Sequence, residues 1–321
     1  MSEAVDRRDR DRVSPDLTLV VPAYNEAQGL GDTVREIHAQ ARFTQLPFTI
    51  VVVDDGSTDD TWDVLCRLAG ELRELRGVRL SRNFGKEGAI AAGLDVSHGD
   101  ATVILDADLQ HPPRLIPEMV RLWREEGWDV VEAMKSHRGR ESWLQRVAAR
   151  TFYRVARAFT GYDLQDASDF KLLDRRVVEA WRRFGERTTF FRGLVAWLGF
   201  RRTRIFFDVP PRTGGRSRWS LGALVSLAVH AVTSFSALPL QLVSVLGFVT
   251  LLLAAGVGVQ ALRLWWAGLA LPGFTTVILL QLIVGGFLMI SLGIIGTYVA
   301  RIYDEVKGRP RYVVREVSRR E

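Results

Sequence analysis

Two aspartates separated by a single residue, Asp106 and Asp108, carry the strongest chemical signal in this chain. They follow the apolar run Ala101 to Leu105, and alternate residues of an extended segment point the same way. Two carboxylates so placed can converge on one hard divalent cation, with diphosphate oxygens and the Gln110 amide oxygen filling the remaining positions. A metal there would neutralise charge developing on a departing nucleotide diphosphate. An Asp-x-Asp pair alone is equally explained by turn or cap carboxylates. What strengthens the metal reading is that other polar clusters also close apolar runs. They are Val21-Pro22-Ala23-Tyr24-Asn25-Glu26, Val53-Asp54-Asp55-Gly56-Ser57-Thr58 and Arg82-Asn83-Phe84-Gly85-Lys86.

The elements that must position these residues follow from the periodicity. Apolar runs alternate with amphipathic stretches, the pattern of an α/β sheet. Strands are predicted at Leu17–Pro22, Phe48–Val53, Val78–Leu80 and Ala101–Leu105. Helices are predicted from about Glu26, from a cap at Thr58 or Asp59 to Leu68, over Lys86–Val96, and after Pro112-Pro113. Ligands in open α/β sheets bind beyond the carboxyl ends of the strands, where all four clusters lie. Asn25 and Ser57 read as turn formers, and Asp54 as a support for its loop.

The 321 residues carry a net charge of +6, with 47% hydrophobic and 25% charged residues, an ordinary globular average. That average conceals a division. From Trp219 to Ala300 the only Lys, Arg, Asp or Glu is Arg263. A bilayer core needs about 20 apolar residues in a helix, and Leu238–Leu262 and Phe274–Val299 qualify. Trp265 and Trp266 suit the interface, and Pro272-Gly273 a turn between the helices. A hairpin buried in a soluble core is the bland alternative, disfavoured by two uncharged runs of this length. Arg192–Arg218 holds seven arginines against one acid, and Arg301, Lys307, Arg309, Arg311 and Arg315 follow the second span. The positive-inside rule therefore places both ends of the hairpin and the body in the cytoplasm. A wholly soluble protein, a disordered chain and a disulfide scaffold are excluded, since the one cysteine, Cys66, cannot form an internal bridge.

The expected organisation is a disordered tail over 1–15, an α/β domain over 16–218 and an interfacial helix over 219–237. A transmembrane hairpin follows over 238–300, with spans 238–262 and 274–299, and then a basic cytoplasmic tail over 301–321. The charged N-terminal residues lack the apolar core of a signal peptide. Gly285, Gly286, Gly293 and Gly296 offer close-packing surfaces for self-association, although Gly293-x-x-Gly296 falls short of small-xxx-small spacing. The stretch Glu141–Phe159 sets its arginines opposite an apolar face, as in a helix resting on anionic headgroups or one packed on the sheet.

The succession PAYNE, DDGSTD, NFGKEGA and DADLQHPP resembles the inverting family 2 glycosyltransferases with a GT-A nucleotide-sugar-binding, Rossmann-like domain. The resemblance covers roughly residues 17 to 218. The paired apolar helices bring it nearer the polyprenyl-phosphate branch, similar to dolichol-phosphate mannose synthase and to bacterial undecaprenyl-phosphate glucosyltransferases of the GtrB kind. It implies that Pro22, Tyr24, Glu26, Val53 and Asp55 line the nucleoside pocket. Asn83, Gly85 and Lys86 would lie near the ribose and diphosphate, where a helix N-terminus favours negative charge. Asp106, Ala107 and Asp108 would contact the nucleotide sugar, and Asp106, Asp108 and Gln110 would hold Mg2+ or Mn2+. Tyr24 as plain core and Lys86 as a solvated helix charge stay open.

The segment Leu164–Arg175 is similar to the D-x-G-D-F-R-L-x-D-R stretch of the GtrB-like branch, with Ser168 for Gly and Lys171 for Arg. It implies a catalytic role at the acceptor for Asp166, with Asp169 as its support and Asp108 on the donor side. A phosphate monoester is largely ionised at pH 7, so Asp166 either orients the acceptor or deprotonates it. Lys135, Arg138 and Arg140 can reach the acceptor phosphate, as can Arg212 and Arg218 in a segment similar to R-x-x-G-x-S-K/R-Y. Arginines pair bidentately with phosphate, although a polybasic collar for lipid headgroups is the other reading of that cluster.

The function expected is transfer of one hexose from a nucleotide sugar, UDP-glucose favoured, to a polyprenyl phosphate in the membrane. Three alternatives remain. One is a GDP-mannose-using mannosyltransferase. Another is a processive polysaccharide synthase, against which stands the lack of a Q-x-x-R-W motif. The last is a non-catalytic membrane adaptor.

Overall fold

The computed structural model describes residues 16–108, 111–135, 169–184, 191–207, 238–268 and 273–318. Two compact units emerge, one containing the sheet and the last dozen residues, the other the apolar helices. In the first unit, strands β1 (Leu17–Ala23), β2 (Phe48–Asp54), β3 (Leu75–Leu80) and β4 (Ala101–Ile104) run parallel. Each is followed by a helix, the last by a 3-10 turn and a helix, that carries the chain back to the opposite end of the strands: α1 (Leu30–Arg42), α2 (Thr61–Glu71), α3 (Lys86–Asp95), and a 3-10 turn over Pro113–Leu115 leading into α4 (Ile116–Glu126). Then come β5 (Val130–Lys135), β6 (Lys171–Asp174), α5 (Arg175–Arg183), α6 (Phe191–Trp197) and β7 (Arg202–Phe207). The chain closes the sheet with β8 (Val314–Val317), giving the order β7-β5-β6-β4-β1-β2-β3-β8.

Strands β1 and β4 read as continuous apolar runs because both faces of the sheet are covered. Leu19, Val21 and Val103 pack with α1 and α4 on one side, whereas Val20 and Ile104 pack with Ile90, Leu94 and Trp181 on the other. Helix α3 is Ala- and Gly-rich because it lies close against the sheet. A Cβ on Gly93 would overlap the Val20 side chain.

Several boundaries differ from expectation. Helix α1 begins at Leu30, not near Glu26, because Asn25 adopts a left-handed φ of 55° and Glu26 closes a turn onto Gly29 and Leu30. Strand β3 starts three residues before Val78, through pairing with β2. Residues 314–317, expected as part of a basic tail, form a strand antiparallel to β3.

In the second unit, helices α7 (Leu238–Trp266) and α8 (Phe274–Val306) start at the positions expected for the spans and run longer. Both are long and apolar enough to cross a membrane by length and composition. Phe248, Leu253, Leu288 and Ile290 are exposed on them, which is the reverse of a hairpin buried in a soluble core. The expected tail over 1–15, the amphipathic stretch 141–159 and the interfacial helix 219–237 lie outside the described residues.

Candidate active site

Parallel pairing of β1 with β2 and β4 brings three polar strand ends level. Ala23 pairs with Asp54, and Val20 with Ile104. Strand β6 runs the other way beside β4, with Ile104 opposite Lys171. Asp106 stands two residues after Ile104 and Asp169 two residues before Lys171, at this same end of the antiparallel pair. Helix α3 supplies the cation between them: Lys86 Nζ lies 2.5 Å from Asp106 Oδ1 and 2.6 Å from Asp169 Oδ2. Burial works to lower the Lys86 ammonium, but Asp169 and Asp106 outweigh it and hold its pKa above the ordinary 10.5. Lys86 is still 41% exposed, so this charge sits at an opening, whereas Asp169 is only 5% exposed. His111 Nδ1 approaches the second Asp106 oxygen at 3.4 Å, with its ring packed on Phe170.

The donor-side loops are held by side chains that reach back into the backbone. Asp55 is buried, and its two oxygens accept the N–H groups of Phe84 (2.7 Å) and Gly85 (2.9 Å). Burial raises its pKa, only partly offset by those two donors. Asp54 is fully buried, accepts the Ser57 N–H at 2.9 Å and lies 3.3 Å from Arg79 Nε, the supporting role expected of it. Asn25 and Ser57 tie the first two loops together, since Asn25 N–H donates to Ser57 Oγ and Asn25 Oδ1 accepts Thr58 N–H. Gly56 sits at φ 66°, and any Cβ there would overlap the Arg82 carbonyl carbon. Only glycine lets the two loops approach so closely. Asp59 accepts the Thr61 N–H from two residues before α2, doing the work of a cap.

The remaining expected residues fall into three groups. Tyr24 is 43% exposed, Asn83 and Asp108 are exposed, and Pro22 and Glu26 are half-buried, so all five border the strand ends with part of their surface accessible. Tyr24 is therefore not plain core. Burial, then Asp108 and Asp59, raises the pKa of Glu26, so carboxylates crowd this rim. Val53 and Ala107 are buried. Val53 packs with Val78 and Ala89, and the Ala107 carbonyl accepts Thr33 Oγ1–H at 2.8 Å from α1. Their side chains brace the site from within. Lys135 ends β5. Asp166, Gln110, Arg138, Arg140, Arg212 and Arg218 lie outside the described residues.

The donor set suits a hard cation. Asp106 already holds an ammonium, and Asp108 lies two residues on at the same strand end. Among the described residues no group of three or more His, Cys, Asp or Glu side chains forms a complete metal cage. Two carboxylates with substrate oxygens are the usual arrangement for Mg2+.

The family model for glycosyl transferase family 2 matches residues 18–181, the stretch that contains every one of these strand ends. The chain belongs to that family. Among its relatives is an uncharacterized glycosyltransferase of Synechocystis, 39% identical over 94% of this chain and 95% of that one. Bactoprenol glucosyl transferase of Shigella phage SfII is 31% identical over 94% of this chain and 98% of its own. Among solved structures the chain is similar to the UDP complex of glucosyl-3-phosphoglycerate synthase from Mycobacterium tuberculosis. That match is 25% identical over 68% of this chain and 79% of that chain, with a TM-score of 0.47.

Two features of this glycosyltransferase site, one residue and one pairing, were not foreseen from the sequence. His111 stands in the quoted DADLQHPP block, five positions past Asp106, and that spacing was its signal. The bridge from Lys86 to Asp169 spans 83 positions and has no local signature.

Proposed function

We propose that this enzyme transfers a single hexose, glucose from UDP-glucose in the favoured reading, to a polyprenyl phosphate at the cytoplasmic face of a membrane. The observation that carries the proposal is the meeting of Asp106, Lys86 and Asp169. It joins the carboxylate motif, the donor loop and the acceptor-side segment in one cluster. The kinship with a bactoprenol glucosyl transferase over nearly the full length of both chains supports a lipid-phosphate acceptor. Two long apolar helices suit a substrate whose prenyl tail stays in the bilayer.

In this mechanism the acceptor phosphate oxygen attacks the anomeric carbon from the face opposite the nucleotide. The new C–O bond forms as the bond to the nucleotide diphosphate breaks, and the configuration inverts. Tyr24 stacks on the base, and Glu26 accepts hydrogen bonds from base or ribose. Asp55 acts through the backbone, keeping the Phe84–Gly85 turn and the start of α3 in place. Lys86 supplies positive charge between donor and acceptor sides. Asp106 and Asp108, with Gln110, would hold Mg2+ or Mn2+, which supplies Lewis-acid stabilisation of the leaving diphosphate. Asp166 orients the acceptor, with the basic residues Lys135, Arg138, Arg140, Arg212 and Arg218 drawing in its phosphate.

Purified full-length protein, supplied with a short polyprenyl phosphate and Mn2+, should form the lipid-linked sugar from UDP-glucose. Asp108→Asn should lose that transfer by at least about a hundredfold. Product from GDP-mannose alone would replace the donor assignment. Undiminished transfer by Asp108→Asn would overturn the mechanism, and no transfer by the wild type from any nucleotide sugar would favour an adaptor.

A further inference from the structure

The residues that follow the second apolar helix return to the sheet and grip the donor loop from outside. Strand β8 pairs antiparallel with β3, Val78 opposite Val317 and Arg79 opposite Glu316. Ser81, the first residue of the loop that carries Asn83 and Gly85 and leads into Lys86, donates its N–H to Val313 O at 2.8 Å. Tyr312 packs with Phe84 and Val96 against the cluster that contains Ala89 and Ala92 of α3. Its hydroxyl donates to Asp95 Oδ2 at 2.8 Å, at the far end of that helix. A Cβ on Gly88 would lie 3.7 Å from the Arg311 carbonyl oxygen, so the segment runs close along α3. Arg311 is itself anchored, with its guanidinium over the Trp181 ring and donating to Phe184 O. On the strand side, Glu316 holds Arg79 Nη1 at 3.2 Å while Arg79 Nε reaches buried Asp54 at 3.3 Å.

We propose that Arg311–Val317 is a positioning element of the donor site, holding the β3–α3 loop and the N-terminus of α3 in the shape that binds the nucleotide diphosphate. This rests on the glycosyltransferase reading above. A bare edge strand is commonly capped to prevent edge-to-edge association, and capping alone would need only the strand ladder. Here the contacts lie at both ends of the donor loop: the Ser81 bond holds its first residue and the Tyr312 contacts reach the helix after it. Tyr312 is the principal positioning residue and Glu316 a second, acting through Arg79 and Asp54 on the Ser57 turn.

The test uses full-length protein in detergent, titrated calorimetrically with UDP in the presence of Mn2+, with thermal midpoints measured in parallel. Tyr312→Phe removes the hydroxyl and keeps the ring, and should weaken UDP measurably, by up to about fivefold, the limit set by the worth of one hydrogen bond. Tyr312→Ala should weaken it further. In sugar transfer the same variants should raise KM for the donor and leave kcat within about twofold. Ser318→Ala is the structural control. It removes the hydroxyl that accepts Gly77 N–H at 2.8 Å, at the end of β3 away from the loop. It should lower the midpoint and leave UDP affinity unchanged. If both Tyr312 variants bind UDP as the wild type does, or if Ser318→Ala weakens UDP as much as they do, the positioning role is overturned. A wild-type chain that binds no nucleotide would overturn the glycosyltransferase reading as well, which separates the two failures.

Discussion

Replacing Lys86 with Met removes one ammonium and keeps a side chain of similar length, so it isolates the charge at the centre of the site. Both acceptor oxygens lie within 2.6 Å of the same nitrogen, which places them about 5 Å apart or less and makes their bare repulsion about 3 kcal/mol at an effective dielectric near 20. Lys86 is 41% exposed, so solvent screening takes roughly half of that and leaves about 1–2 kcal/mol. For a body of this size the midpoint should fall by about 3–6 °C at pH 7.5. The pH dependence follows from the sign of the shift. The Lys86 pKa is raised, so its stabilisation is present below the ordinary 10.5 and is lost above it. Differential scanning fluorimetry of wild type and Lys86→Met should therefore show a gap at pH 7.5 that narrows as pH rises above 10.5. A gap that does not narrow would mean that Lys86 stabilises by packing, and the electrostatic account of the site would be wrong.

Two further outcomes follow from other charges. Lys171 is fully buried with Nζ 2.5 Å from Glu132 Oε1, while Arg204 Nε stands 3.8 Å from the other oxygen. Lys171→Met should destabilise by about 3–5 kcal/mol in chemical denaturation, and the Lys171→Met/Glu132→Leu double variant should recover most of it; no recovery would show that the pair is not energetically coupled. Glu26 has a raised pKa, so folding disfavours its ionised form, and that cost disappears as pH falls below the ordinary 4.5. Glu26→Gln should raise the midpoint at pH 7.5 more than at pH 4, while weakening UDP about fivefold in calorimetry. A lower midpoint at pH 7.5 would contradict the assigned sign.

The elements of the sheet were legible because they rest on local pattern. Leu17–Ala23 and Ala101–Ile104 are apolar runs that only a strand covered on both faces explains, and the polar residues after them had to stand at its edge. Asp106 and Asp108, Asn25 and Ser57 as turn formers, and the charge-free helices were all written in residue type and spacing. Tertiary structure decided the partners. Asp55 stands in its motif in the sequence, but only the fold shows its carboxylate accepting two N–H groups from a loop 29 positions or more away. Lys171 reads in the sequence as a replacement for arginine, and only the fold shows it buried against Glu132 from a neighbouring strand. Residues 314–317, with two of four side chains charged, have no reason to be a strand until the open edge of β3 offers hydrogen bonds. Periodicity acts over a few residues, so it specifies what each segment is. Which charge meets which depends on strand order and helix packing, and those are set by contacts between segments far apart in the chain.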